Sequence, residues 1–269
     1  MSQMNFVSRI YQIIGLATLV AMSSGCGADA APAPSSAIAV VNVGSTSAIP
    51  SPTSTPTSAA SSGSVASQTA AAGVIVQAGD SIGVGVGADD WAAIDHLGFS
   101  AGITIQNASV SGKAMQTGYG NRMTEVFPFR SSTSPSVLLI QQGTNDLYYG
   151  TNASSLYRSI LTPFVSDARK AGFYVVVDTI LPRSDGGWTS VMERERIAYN
   201  TLVRANRAGA DAVNDLAADS VMGDGNNLNN QSFYADGAHP SLSGQQRLAI
   251  LNATVLGPFL QRSPRPPSR

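Results

Sequence analysis

Val137-Leu138-Leu139-Ile140 is apolar at every position, and this run constrains the fold more than any other stretch of the chain. A strand with one face in water alternates apolar and polar side chains, whereas a strand covered on both faces reads as a continuous apolar run. Short, β-branched runs recur at 73–78, 103–107, 136–141, 173–179 and 212–214, and they alternate with helical-period segments at 155–171, 191–208 and 242–260. Alternation of this kind predicts an α/β domain with a mainly parallel sheet, over residues 73–262. The first long helix is expected to stop at Ala171-Gly172, where glycine takes a left-handed turn and Arg169-Lys170 face the negative end of the helix dipole.

In open parallel sheets, ligands gather at the carboxyl ends of the strands. The loops leaving those ends begin at Gly79, span 108–112, 142–149 and 182–190, and include the long polar stretch 219–239. Composition limits what they can do. With 16 Lys+Arg against 17 Asp+Glu there is no basic footprint for nucleic acid. Cys26 is the only cysteine, which removes internal disulfides and thiolate zinc clusters. The two histidines, His96 and His239, are too few for a three-histidine metal site. No metal or cofactor is expected.

The N-terminus reads as an address. Residues 1–25 carry Arg9, then an apolar segment from Ile10 to Met22, then small residues. That layout suits a secretory signal, and the apolar segment is shorter than the ~20 residues a permanent spanning helix needs. Ser23-Ser24-Gly25-Cys26 resembles the lipobox of bacterial lipoproteins, with Ser23 where that family usually has leucine. The resemblance implies lipidation of Cys26, which would give an unpaired cysteine a use in an oxidising compartment. Ala28-Asp29-Ala30 offers ordinary signal peptidase a competing site, and with it a secreted or periplasmic soluble form. Residues 26–72 are rich in Ala, Ser, Thr and Pro and cannot bury enough apolar area to offset their ordering entropy, so a disordered tether is expected. A disordered tail is likewise expected over 263–269.

Along the strand-end loops the chain reads Gly79-Asp80-Ser81-Ile82, Asn107-Ala108-Ser109-Val110-Ser111-Gly112, Gly143-Thr144-Asn145-Asp146, and Asp236-Gly237-Ala238-His239-Pro240. Each block alone has a plain reading as a helix cap or turn, since Asp, Ser, Asn and Gly dominate both. Together and in this order they resemble the GDSL, or SGNH, hydrolase family of serine esterases. The resemblance covers 73–262 and implies a three-layer α/β/α sandwich, flavodoxin-like, with a five-stranded sheet.

The chemistry of the residues agrees. A serine hydroxyl is a weak nucleophile until a base takes its proton, and histidine titrates in the range where that exchange is easy. His239 is therefore the candidate base for Ser81, and Asp236 is placed to orient the imidazole and stabilise its charged form. The family supplies oxyanion donors from the block serine N–H, a glycine N–H and an asparagine amide, which here fall on Ser81, Gly112 and Asn145. Glycine at 112 allows close backbone approach, and the Asn145 amide donates without charge. Asp80 and Asp146 read as loop scaffolding, His96 as structural. Trp188, Tyr148 and Tyr149 lie on the same loops and are candidates to line an acyl or sugar pocket. Gly83-Val84-Gly85-Val86-Gly87-Ala88 fits a dinucleotide-binding pattern, but it starts beyond the strand and no acid ends the second strand.

The expectation is a monomeric carboxylic ester hydrolase in the cell envelope, acting through a Ser81 acyl-enzyme on a small-molecule or glycan ester, with a membrane met only through the lipid anchor. Two alternatives stay open. One is an acyltransferase using the same three residues on a glycan, and the other is a tethered glycan-binding protein without catalysis.

Overall fold

A computed structural model describes residues 72–117 and 122–268. The expected signal segment 1–25, Cys26, and the expected tether as far as residue 71 lie outside these residues. Five strands, β1 (Gly73–Gly79), β2 (Ile103–Asn107), β3 (Ser136–Gln141), β4 (Tyr174–Asp178) and β5 (Ala212–Asn214), pair in the order β2-β1-β3-β4-β5. Every ladder is parallel. The α-helices are α1 (Ser81–Val84), α2 (Arg122–Glu125), α3 (Thr144–Tyr148), α4 (Ala153–Ser155), α5 (Thr162–Lys170), α6 (Ser190–Arg204) and α7 (Leu242–Leu256). A π-helical segment, Leu156–Leu161, joins α4 to α5.

The period-2 pleat sorts the apolar strand residues into two cores. Ile75, Val137, Leu139 and Val176 pack on one face against Leu256, Phe259 and Leu260 at the end of the chain and against Ile94 and Leu97. Val76, Leu138, Ile140, Val175 and Val177 pack on the other against the α4–α5 segment and α6, through Leu156, Leu161, Phe164, Tyr199 and Val203. Helices on both faces give the three-layer α/β/α sandwich. The apolar run Val137–Ile140 is fully buried because its alternate side chains feed opposite cores. Each such side chain contributes ~1.5–3 kcal/mol by leaving water.

Two helices end earlier than their periodicity suggests. The expected 191–208 helix stops at Arg204, because Asn206 turns left-handed (φ 47°) and its side chain bonds both backbone groups of Ala210. The expected 242–260 helix gives way at Leu256 to a 3₁₀ turn, Gly257–Gln261, where Pro258 has no N–H to continue the ladder.

The C-terminal segment departs from the expected disordered tail. Residues 263–268 cross the amino end of the sheet: the Tyr174 hydroxyl donates to the Ser263 carbonyl (2.9 Å), and Arg265 donates to the Phe173 carbonyl (2.9 Å) and to Asp211. The Ser268 N–H then reaches the Lys170 carbonyl (2.9 Å). The composition of Ser263-Pro264-Arg265-Pro266-Pro267-Ser268 offers no core, but Arg265 finds the half-buried carboxylate of Asp211 and lies 4.4 Å from the Tyr174 ring centroid.

Truncating Leu139, fully buried in the sheet's middle strand, to alanine should lower stability by ~2–5 kcal/mol. Urea denaturation should show the midpoint falling with the slope unchanged.

Candidate active site

The chain departs from β1 towards β2 on one side and returns to β3 on the other, so the loops after β1 and β3 diverge and leave a crevice. Ser81 opens α1 at one lip and Asn145 lies in α3 at the other. Asp80 caps α1, its carboxylate accepting from the Ile82 N–H (3.0 Å). Gly143, at φ 124°, turns β3 into α3, and a Cβ there would lie 2.9 Å from Ile180.

His239 comes from 158 residues downstream to meet Ser81, with Nε2 2.9 Å from the Ser81 Oγ. Its Nδ1 lies 2.7 Å from Asp236 Oδ2. An ionised carboxylate only accepts, so Nδ1–H donates to Asp236 and Nε2 is left to accept from the Ser81 hydroxyl. The other Asp236 oxygen accepts from the backbone N–H groups of Ala238 (3.0 Å) and His239 (2.8 Å), which fixes the turn carrying the imidazole. Partial burial pushes the Asp236 carboxyl up, but the hydrogen bonds from the His239 backbone and ring and from Ala238 outweigh it and hold it below the ordinary carboxylate range.

Contacts far from the four blocks hold the two lips in register. Gln245, buried on α7, donates to the Ile82 carbonyl (2.8 Å) and accepts from the Ala93 N–H (3.2 Å), tying the helix after His239 to the helix that starts with Ser81. Asn107 and Gln77 donate to the Gly83 carbonyl (2.8 and 3.2 Å). The glycine run after Ser81 is explained by approach distance. A Cβ at Gly83 would meet Ser109 Oγ at 2.4 Å, and one at Gly87, where φ is 89°, would meet the His239 Cβ at 3.0 Å.

Gly112 is exposed and left-handed (φ 74°), and its N–H meets no acceptor among the described residues. The Asn145 amide donates to the carbonyl of the next residue, Lys113 (3.1 Å), which brings Gly112 and Asn145 together. Asp146 reinforces the same junction by accepting from the Met115 and Gln116 N–H groups (2.7 and 2.8 Å). Asp80 and Asp146 thus both brace loops. His96 is elsewhere, exposed and stacked on Trp91 at 3.9 Å.

One wall of the crevice is the loop between β4 and α6. The Arg183 guanidinium lies over the Tyr148 ring (4.7 Å) and the Trp188 ring (5.3 Å) and forms a two-point ion pair with Asp185. The Ser184 N–H donates to the Gly237 carbonyl (2.9 Å), joining this wall to the His239 turn. Trp188 donates to Glu193 (3.1 Å), and Glu193 pairs with buried Arg196, which bonds the Ile180 carbonyl. Tyr149 stands edge-on to Tyr148 and is 65% exposed. Gln245 and Arg183 had no signal in the sequence, since one is a polar residue on a helix and the other a lone cation on a loop.

Burial pushes the Asp80 carboxyl up to about 7, despite the Ile82 hydrogen bond and the nearby charges of His239 and Arg183. Burial likewise pushes Asp178 up to about 8; Asn214 bonds one of its oxygens (3.0 Å) and the other has no partner among the described residues. A folded-state pKa raised above the unfolded value, roughly 3.9, means that the folded chain holds the proton more tightly. That contribution is fully present below about pH 4 and is lost as pH rises through about 7 for Asp80. Asp80→Asn keeps the cap and removes the titration. Differential scanning calorimetry from about pH 4 to 8 should therefore show the melting temperature of the parent falling towards neutrality more steeply than that of the variant.

A model of the GDSL-like lipase/acylhydrolase family matches residues 78–247. No curated protein matches the sequence. Among solved structures, TesA is 23% identical, aligned over 69% of this chain and 99% of its own, with a TM-score of 0.51. The acetyl xylan esterase AlAXEase is 17% identical over 68% of this chain and 99% of its own, at 0.53. A GDSL-like lipase from Bacteroides thetaiotaomicron is 17% identical over 69% of this chain and 88% of its own, at 0.55. At these identities the likeness is one of fold.

Proposed function

We propose that this chain, which belongs to the GDSL-like lipase/acylhydrolase family, hydrolyses a carboxylic ester through an acyl-enzyme on Ser81. The reading rests on one observation, the series Ser81 Oγ, His239 Nε2, His239 Nδ1, Asp236 Oδ2 linked at 2.9 and 2.7 Å. As Ser81 Oγ attacks the ester carbonyl, its proton passes to His239 Nε2 and the carbonyl oxygen becomes an oxyanion. Asp236 stabilises the imidazolium. The Ser81 and Gly112 N–H groups and the second amide hydrogen of Asn145 receive the oxyanion. His239 returns the proton to the departing alkoxide, which leaves as the alcohol. Water, deprotonated by His239, then cleaves the acyl-enzyme to the carboxylic acid and frees Ser81.

The substrate we favour is a small acyl group on a polar alcohol such as a sugar. Tyr148, Arg183 and Trp188 support it: the wall they form presents a fixed guanidinium stacked on aromatic rings, with Tyr149 exposed beside it. The protein is exported in this reading, anchored through acylated Cys26, with the segment to residue 72 acting as a tether.

Ser81→Ala should abolish hydrolysis of nitrophenyl acetate and labelling by a fluorophosphonate; unchanged turnover in that variant would remove the mechanism. Asn145→Ala should lower kcat by ~10²–10³ with KM little altered, as expected for a donor that matters only in the transition state. In an acyl-chain series, short esters should be turned over faster than long ones. Arg183→Met should raise KM for an acetylated oligosaccharide while leaving KM for nitrophenyl acetate near its parent value.

A further inference from the structure

The end of the molecule remote from Ser81, where the parallel strands begin, is crowded with cations. Arg169 and Lys170 are exposed at the end of α5, Arg207 is exposed on the turn from α6 to β5, and Arg262 is exposed where the C-terminal segment starts. Arg265 and Arg130 lie half-buried among them, the second donating to the carbonyl of the first (3.0 Å). Asp211, which pairs with Arg265 and Arg169, is half-buried, and Lys170, Arg207 and Arg262 have no ion-pair partner among the described residues. Arg169, Lys170 and Arg265, with the Ser166 and Ser268 hydroxyls, line a groove of about 470 Å³ between α5 and the C-terminal segment. The chain as a whole carries a formal charge of -1. The unpaired cations at this end are therefore not the expression of a basic chain but a local cluster, whereas at the crevice end Arg183 is paired with Asp185.

We propose that this cationic end docks on an anionic phospholipid membrane and so turns the Ser81 crevice away from the bilayer. Two observations select this occupant. Exposed guanidinium and ammonium groups, together with a hydroxyl-lined groove, complement phosphate headgroups in charge and hydrogen-bonding capacity. The segment that carries Cys26 also joins the fold at this end, because β1 starts here with Gly73, packed on Leu260. In the reading above, an acyl group on Cys26 would supply a second signal beside the basic patch, and two such signals make peripheral attachment durable. The length of β1 sets Ser81 about 20 Å from the docked face.

The test uses the chain from residue 26 onward with Cys26→Ser, so that no acyl group contributes, sedimented with vesicles rich in phosphatidylglycerol and with vesicles of pure phosphatidylcholine. Binding to the anionic vesicles alone is expected, weakening as salt screens it. Lys170→Glu with Arg207→Glu should reduce that binding ~10-fold or more, while Arg194→Glu, on exposed α6 surface, should leave it unchanged. Absence of binding to anionic vesicles would overturn the proposal, and so would an equal loss with Arg194→Glu. Full competition by millimolar inorganic phosphate at constant ionic strength would also overturn it, because the groove would then be a site for one free anion. Hydrolysis of a soluble ester by the same variants is measured alongside and should not change. The vesicle readout does not involve Ser81, so failure of the esterase reading would leave it standing.

Discussion

Parallel pairing of β1 with both of its neighbours is the constraint on which the rest of the molecule depends. Because all five strands run the same way, every strand-to-helix turn falls on one edge of the sheet. Because the chain leaves β1 in one direction and comes back beside it as β3, two of those turns part and leave the crevice. Ser81 and Asn145 then face a common space, each brought to it by the turn that follows its strand. What must be added is the third participant, His239, and for that the fold relies on α7. Its Gln245 grips α1 directly, so the separation between hydroxyl and imidazole is set by a buried side-chain amide and not by the length of the long loop before it.

The same edge gathers carboxyl groups that are costly to bury. Asp80 and Asp178 are nearly inaccessible and lack cationic partners of their own, so they hold protons at pH values where carboxylates are normally charged. Asp236 is the contrast. Half in solvent and fully hydrogen-bonded, it stays ionised and is suited to holding a charged imidazole. Two environments thus separate acids of the same chemistry into neutral braces and an anionic partner. Folding stability is given up near neutral pH by the first group, while the second keeps its charge.

Much of the architecture could be read from the chain because it depends on local pattern. The apolar run Val137–Ile140 required cover on both faces, and the strand starts and ends follow the β-branched runs within a residue or two. The four blocks were legible because residues at strand ends need little tertiary information to be brought together. Other features depend on pairings between distant positions that no local pattern announces. Gln245 looks like an ordinary helix residue until its partner at Ile82 is known, 163 positions away. Arg265 sits in a segment whose composition argues for disorder, yet Asp211, the Phe173 carbonyl and the Tyr174 ring together hold it. The glycines at 83, 85 and 87 fit a dinucleotide pattern that their distance from the strand already argued against, and they serve close packing against the Ser109 side chain, the Trp91 backbone and the His239 side chain.

Both ends of the folded chain leave from one edge: Gly73 packs against Leu260, and the segment after it closes over β4. A fold whose entry and exit adjoin behaves as a plug-in module. It can be spliced into a surface loop of another protein or strung in tandem, and nothing on the opposite edge has to move.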